Sequence, residues 1–521
     1  MPYTILQGGT SLQSMTTAGA LTTLTLPTGV KLDSSLRPRF AVFGRYVVMV
    51  NSPTRPLTID TEGTVRLLCP HAPRTKPTLT TGTGALTGDY LVRQSFIVLD
   101  ADGNIIAESE MGTPSLSGAV SAQALVVASL DLCTDTVSAT RLYRTTDDGS
   151  VYFPWFDLDG NTQTQGQDDL SDAGLQLVAA PSLGTPPDLV LIAEFRERLW
   201  GRSLTDIDYL RYTETGKMYA WPTANTILVP RLGSDDRGIT GIIPRRESLL
   251  VGRQDRLFQI TGTSNTDFRA VKLKENVGIE SADSVVVYND IAYWLADDGV
   301  YTASEGGRIE SLTAGKVSSW FQTDTYFNRS RFQYAVGRVD PLRNKYQLLL
   351  SNTGDSTDNR WIEMDLTDHT WWGPHKTDDF TPSWMGVWLD SNGLTVPALG
   401  STTGFIYKDQ ATRTDGTATA IDLDVDTKFH DGNTPDIHKS FLEPTVISRI
   451  QAAGTLTMTP YVGGLDASAG TAISVDMTLG RQRLRRLGDG RFVRFNLRHT
   501  TAGQDVELYG IEIPWFERGR R

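Results

Sequence analysis

Short runs of alternating apolar and polar residues, separated by turn residues, occupy most of this chain. The segments 95–109 (SFIVLDADGNIIAES) and 291–304 (IAYWLADDGVYTAS) each predict two strands joined by a tight turn. Such turns are marked by Asp-Gly at Asp102, Asp148, Asp159, Asp298, Asp415, Asp431 and Asp489, and by Asn-Gly at Asn392. These pairs tolerate the positive φ angles that a two-residue hairpin requires. Long runs with helical spacing are absent, and 312–322 is the best short helix candidate. The pattern therefore predicts an all-β protein.

The strands are grouped in a loose repeat. The first unit spans 40–68, and similar units start near Val190, Ile239, Ala282, Phe332 and Pro382. The last five units begin about every 45 to 50 residues, which is the range of four-stranded propeller blades. The spacing predicts a β-propeller. The alternative is an array of generic β-sandwiches whose spacing is accidental.

Shifts in character along the chain predict five regions. Residues 1–39 are expected to form an N-terminal extension, and 40–75 the first propeller blade. In 76–180, alternating strands with turns every 8 to 12 residues predict an inserted sandwich like a fibronectin type III domain. The remaining blades are expected in 181–411. Strongly alternating strands in 412–521 predict a C-terminal β-sandwich.

The charge balance limits the possible partners. The chain has 521 residues and a net charge of −12. This argues against an ordinary nucleic-acid binder, which neutralises phosphates with clustered Lys and Arg. It does not argue against a conduit for DNA, because an acidic wall repels phosphate and keeps a moving duplex from adhering.

One region of the C-terminal part is basic. It supplies the candidate residues for a contact with a neighbouring subunit or with phosphate: Arg481, Arg483, Arg485 and Arg486. The partner could be an acidic face of another subunit or a DNA phosphate. The alternative is a solvated sandwich face, with Leu484, Leu487, Phe492 and Phe495 directed inward.

No motif for catalysis is found, and we expect neither an enzyme nor a cofactor. Serine-hydrolase, phosphate-loop and zinc-helix signatures are missing, and the six histidines are scattered. Cys69 and Cys133 are outside any metal-binding pattern, so buried free thiols in a reducing cytoplasm are expected. Residues 234–240 match part of the Asp-box of sialidase-type propellers, which is a structural turn. No apolar stretch approaches the ~20 residues of a membrane span, and no secretion signal is apparent.

Four segments resemble the tail-tube nozzle and packaged-DNA stabilisation (head-completion hub) proteins of short-tailed phages. They are RFAVFGRYVVMVNSPTRPLTID, RERLWGRSLTDIDYLRYTETGKMYAWP, ESLLVGRQDRLFQITGTSNTDFRA and YNDIAYWLADDGVYTASEGG, mainly within 40–70 and 190–310. The resemblance covers about half of the chain and consists of diffuse patterns rather than sharp motifs. It carries no catalytic residues over to this sequence.

The resemblance implies a propeller-bearing subunit of a virion tail, assembled in the host cytoplasm. It implies a ring, sixfold in the family, below the portal and adaptor, which retains DNA and then conducts it during ejection without sequence-specific binding. The inserted and C-terminal sandwiches would provide lateral contacts or attach fibre or tip proteins. There are two alternatives: a fibre-anchoring or receptor-binding tail protein, and a carbohydrate-active propeller enzyme.

Overall fold

The computed structural model divides the chain into two compact units. It describes residues 3–51, 55–175, 178–231, 237–306, 308–377, 380–409, 414–415, 419–420, 422–501, 504 and 506–519. The first unit comprises Met1–His375 and Trp384–Gly400, and the second comprises Lys376–Ser383 and Ser401–Arg521.

Five sheets of four antiparallel strands, each in chain order, form most of the first unit. We call them blades 1 to 5. Blade 1 comprises Arg39–Phe43, Tyr46–Val50, Leu57–Ile59 and Val65–Leu67; blade 2 comprises Leu189–Phe195, Arg198–Ser203, Tyr209–Tyr212 and Thr226–Leu228; blade 3 comprises Gly241–Pro244, Leu249–Gly252, Arg256–Thr261 and Arg269–Glu275. Blade 4 comprises Val286–Tyr288, Ile291–Ala296, Gly299–Ser304 and Ile309–Ser311; blade 5 comprises Val336–Asp340, Lys345–Leu350, Arg360–Asp365 and Trp371–His375. Because the first strands of successive blades lie side by side, the sheets are arranged as in a β-propeller.

Neighbouring blades pack face to face through shared buried clusters. Blades 1 and 2 share Val48 and Leu189, blades 2 and 3 share Trp200 and Leu249, blades 3 and 4 share Leu250 and Trp294, and blades 4 and 5 share Tyr293 and Tyr346. Successive side chains of a strand point to opposite faces, so a blade with neighbours on both sides needs apolar residues at consecutive positions. This explains the uninterrupted run Leu249–Gly252.

The N-terminal 39 residues, expected to be an extension, contain a sheet of their own. Its strands are Tyr3–Gly8, Ser11–Thr16 and Leu21–Thr23. Leu12 packs in one cluster with Met49 of blade 1. A hairpin, Pro382–Leu389 and Thr395–Ser401, follows blade 5. A Cβ at Gly19 would lie 3.6 Å from the Trp388 ring of that hairpin. The N-terminal sheet therefore lies between blade 1 and the hairpin.

Two antiparallel sheets occupy the insertion between blades 1 and 2. One contains Leu91–Leu99, Ile105–Glu108, Ser115–Leu116, Ala139–Arg144 and Phe153–Asp159, and the other contains Thr78–Gly88, Val120–Ala128 and Gly166–Asp168. They enclose a common core that includes Val92 and Leu125. The likeness of this insertion to a fibronectin type III domain stays a prediction.

The second unit is also built from strands. Leu423–Asp426, Thr455–Gly463, Ile473–Asp476 and Phe492–His499 form one sheet, His438–Phe441, Gly488–Gly490 and Trp515–Gly519 a second, and Thr445–Ser448, Arg481–Arg483 and Leu508–Glu512 a third. These three sheets surround a single core that includes Val446, Leu456 and Phe495. The remaining strands are Ile406–Lys408, Thr414–Asp415 and Thr419–Ala420.

Helical structure is minor, as predicted. The described residues form one short α-helix, Ser319–Gln322, inside the predicted segment 312–322, and the 3-10 turns Asp172–Gly174, Ala282–Ser284 and Arg329–Tyr334. Several predicted turns join paired strands, and Gly103 and Gly393 adopt positive φ there. Asp489 is an exception, because it lies within the strand Gly488–Gly490 and pairs with Ser440.

Candidate functional site

A cavity of about 420 Å³ lies where the entry segments of the blades converge. Its wall includes residues that precede or begin the first strands of blades 1 to 5. Its lining is Ser35, Leu36, Arg37, Arg39, Val50, Val190, Leu191, Arg202, Arg237, Ile239, Thr240, Glu280, Ala282, Asp283, Gln333 and Tyr334. We call it the central cavity. The propeller topology brings these residues together from five separate repeats.

Asp283 connects the start of blade 1 to the entry of blade 4. Its carboxylate accepts two hydrogen bonds from Arg39, at 2.9 Å from Nε and 3.2 Å from Nη2. Arg37 lies 3.5 Å from the same carboxylate and donates to Asp358 at 2.9 Å. Arg39 also donates to the Val190 carbonyl of blade 2 at 2.8 Å. These contacts join blades 1, 2, 4 and 5 at one end of the propeller.

A second ion pair joins the segments that enter blades 3 and 4. Arg237 Nη1 donates to Glu280 Oε2 at 2.5 Å, and Nη2 donates to the Glu280 carbonyl at 2.8 Å. The Glu280 side chain is 5% exposed, so its charge is compensated by this arginine rather than by water. Each carboxylate that lines the central cavity is thus held by an arginine.

Arg202 differs from the other arginines of the central cavity. It lies in the second strand of blade 2, and within the part of the chain that the structure describes its side chain forms no hydrogen bond or ion pair. Its Nε is buried. Burial, together with repulsion from Arg39 and Arg237, lowers the pKa of Arg202 to about 10. The guanidinium is still protonated at neutral pH, so an unpaired cation faces the cavity.

No local pattern in the sequence predicts this cluster. The arginines and acids belong to different repeats, and only the closure of the propeller brings them together. Part of the Asp-box match falls beside the cluster, but Ser234 and Asp236 lie outside the described residues.

The four arginines predicted as a contact site lie in or beside the strand Arg481–Arg483 of the second unit. Arg481 pairs with Glu512 at 2.8 Å and Arg483 with Glu443 at 2.7 Å. Arg485 donates to the Thr471 carbonyl at 2.6 Å. The side chains of Arg481 and Arg483 are 67% and 72% exposed.

Arg486 lies in the same exposed segment, next to Leu487, which packs against the core. It donates to Ser440 at 2.6 Å and to Asp489 at 2.9 Å. Leu484 and Phe495 are buried in the core, as the solvated-face alternative requires. All four arginines therefore have internal partners while remaining accessible, and their role as a contact site stays a prediction.

The two cysteines are buried, and most of the aromatic residues in the outer strand of blade 5 have partners within the fold. Burial raises the pKa of Cys69 to about 12 and that of Cys133 to about 11. Trp371 donates through its indole nitrogen to the Leu312 carbonyl at 2.9 Å, whereas Trp372 is 54% exposed. His375 lies against Trp361 with ring centroids 5.8 Å apart. Trp371 and His375 thus pack within blade 5, whereas Trp372 of the same outer strand faces solvent.

Among the residues that the structure describes, no group of three or more His, Cys, Asp or Glu side chains is placed to hold a metal ion. None of the helices found there has the length and apolar character needed to cross a bilayer.

Comparisons with known proteins give remote structural likenesses. No protein-family model matches the chain, and no curated protein matches its sequence. The C-terminal WD40 domain of Sif2 is 10% identical, with 76% of this chain and 88% of that chain covered and a TM-score of 0.30. PorZ, a surface component of the type-IX secretion system of Porphyromonas gingivalis, is 9% identical, with 99% and 80% covered and a TM-score of 0.26.

An exo-beta-1,3-galactanase from Phanerochaete chrysosporium is also similar, at 10% identity. The alignment covers 84% of this chain and 100% of the galactanase, with a TM-score of 0.19. At these TM-scores the likenesses carry no argument on activity or partners. The assignment of the β-propeller rests on the strand order and packing of the chain itself.

Proposed function

We propose that this chain is a structural subunit of a short-tailed phage tail, where a ring of copies forms a nozzle that retains and then conducts genomic DNA. The segments that resemble the nozzle and hub proteins coincide with blades 1 to 4. The proposed partners are other copies in a ring of six, by analogy with the family, the portal and adaptor above, fibre or tip proteins, and the DNA in transit. The proposed location is the virion tail, after assembly in the host cytoplasm.

The observation that carries the proposal is the set of contacts that connect the blades of the propeller to one another. Four buried apolar clusters join the consecutive pairs of blades from 1 to 5, and the ion pair of Arg39 with Asp283 connects blade 1 to the segment that enters blade 4. Such packing gives a stiff body, because close-packed interiors resist compression and transmit strain. Stiffness is what a wall around pressurised DNA requires.

The insertion is anchored to the same body. Arg45 of the first hairpin in blade 1 pairs with Asp100 of the insertion at 2.5 Å. Arg55 lies 3.4 Å from Asp135, which also accepts a hydrogen bond from the backbone nitrogen of His71. The insertion is therefore a fixed lobe of the propeller unit, suited to contact a neighbour or a fibre.

A candidate lateral contact is the outer strand of blade 3, Arg269–Glu275. It is at the edge of its sheet, and Val271 and Leu273 are 45% and 44% exposed. An exposed edge strand with apolar side chains is prone to pair with another chain. In a ring, such an edge would be covered by the adjacent subunit.

The test combines electron microscopy with light scattering. We expect purified protein, or protein on isolated particles, to form a ring around an axial channel, and we expect L273D to prevent the ring. L342D is the matched control, because Leu342 is 56% exposed in a turn of blade 5. A peripheral spike on the particle would favour the fibre-anchoring alternative, and a monomer that is absent from the particle would refute both.

A further inference from the structure

The lining of the central cavity carries more positive than negative charge. It contains four arginines and two carboxylates: Arg37, Arg39, Arg202, Arg237, Glu280 and Asp283. Arg37 is also paired with Asp358, which lies outside the lining, so among the described residues Arg202 is the one lining arginine without a carboxylate partner. Because both carboxylates are already bound by arginines, none of the lining acids compensates Arg202.

An uncompensated cation at a partly buried position is costly, since neighbouring cations repel it and protein replaces some of its water. The same arrangement favours an anion. Arg202 presents a planar fork of donors, which matches two oxygens of a phosphate or carboxylate. Arg39 and Arg237 are close enough to Arg202 to perturb its titration. An anion beside Arg202 would therefore meet three positive groups.

The rest of the cavity suits a small organic molecule. Its apolar wall consists of Leu36, Val50, Leu191, Ile239 and Ala282. Tyr334 also lines the cavity and is 43% exposed. A volume of about 420 Å³ falls in the ~300–1,000 Å³ range of small-ligand sites. The cavity has room for more than a bare ion.

We propose that the central cavity binds a phosphate group, with Arg202 as its principal contact and Arg39 and Arg237 beside it. A phosphate monoester carries about −1.5 to −2 charges near pH 7, so it is attracted to Arg202 and the neighbouring arginines more strongly than a single carboxylate is. The group could come from free phosphate or from a small phosphate ester, whose organic part would lie against the apolar wall. This site is independent of the tail-ring proposal.

The experiment is isothermal titration calorimetry on the full chain, with ionic strength held constant by sodium chloride. The probes are inorganic phosphate and adenosine monophosphate. We expect saturable binding of at least one probe by the wild type. R202Q should bind about 10- to 100-fold more weakly, because a hydrogen-bonded charge contact is lost. R246Q is the matched control, since Arg246 is 75% exposed and lies outside the cavity, and it should bind like the wild type.

Folding of the variants is checked by thermal denaturation without ligand. Because Arg202 holds no carboxylate, R202Q should melt at or above the wild-type temperature. If R202Q does not fold, R202K is used instead: it keeps the charge but loses the two-pronged geometry, so it should bind several-fold more weakly.

The two probes distinguish the source of the phosphate. Tighter binding of adenosine monophosphate indicates an ester, and equal binding indicates free phosphate; both support the proposal. Failure of both probes to bind the wild type overturns it, and so does unchanged affinity in R202Q or, where it substitutes, in R202K. Binding of duplex DNA alone, lost in R202Q, would likewise overturn the small-ligand site in favour of a nucleic-acid contact.

Discussion

Replacing Asp283 by Asn should lower the stability of the propeller considerably, although the two side chains have nearly the same shape. The substitution keeps the volume of the side chain but removes the charge that Arg39 contacts at 2.9 and 3.2 Å and Arg37 at 3.5 Å. It leaves the two arginines close together without their shared counter-charge. The contact also connects segments that are far apart in the chain, so its loss should loosen the end of the propeller as a whole.

The size of the expected loss in stability follows from how exposed the side chains of the ion pairs are. Breaking a fully buried ion pair costs about 3 to 5 kcal/mol, and an exposed pair is worth about 0 to 1 kcal/mol. The side chains of Asp283, Arg39 and Arg37 are 17%, 27% and 30% exposed. Solvent screening therefore places D283N between the limits, and we expect a loss of about 2 kcal/mol in the free energy of unfolding.

The control is D297N, in the same unit. Asp297 pairs with Arg329 at 2.7 Å, but their side chains are 64% and 34% exposed. We expect a loss below about 1 kcal/mol there. Both variants are unfolded in urea and followed by tryptophan fluorescence, and the midpoint shifts are converted to free energies with the measured slope. Equal shifts in D283N and D297N would refute the reasoning that burial and convergence set the strength of the contact.

Three further predictions concern other residues. Burial opposes ionisation of Glu363, but hydrogen bonding to Lys345 and other contacts lower its pKa below 4.5. The ionised Glu363 therefore stabilises the fold at neutral pH, and this stabilisation is lost as the pH falls below about 4.5. E363Q should flatten the acid limb of a plot of urea stability against pH, and parallel limbs for the variant and the wild type would contradict this. Cys69 and Cys133 should resist a thiol reagent at pH 8 until the protein is denatured; rapid labelling of the native protein would disprove the burial. R483A should change the unfolding free energy by less than about 0.5 kcal/mol, because its ion pair is exposed, yet impair ring formation in light scattering if this arginine contacts a neighbouring subunit.

The propeller could be predicted because its signal is local and repeated. Blades need consecutive apolar residues in their middle strands and tight turns between strands, and both features are visible in the residues 291–304. The N-terminal sheet was missed although Gly8 and Gly9 separate two short alternating runs, and Gly9 adopts a φ of +60° there. A sheet of only three short strands gives a weak pattern, and only its packing shows that it shares a buried cluster with blade 1.

The central cavity could not be predicted. Arg39, Arg202 and Asp283 are ordinary residues in their local segments, and each would be consistent with a solvated strand end. They form a charged cluster only where the blades converge, and this convergence is a property of the folded propeller. Asp489 shows the converse limit, since an Asp-Gly pair that locally favours a turn is held in a strand by its pairing with Ser440.

The position of the insertion has a consequence for how such a protein can diversify. Leu68, where the chain leaves blade 1, and Leu189, where it enters blade 2, belong to the same buried cluster. The insertion thus begins and ends at neighbouring points. Such an arrangement tolerates the insertion of a different domain, because the backbone of the propeller need not move. A domain of another size or specificity could replace residues 76–180 while the propeller keeps its geometry.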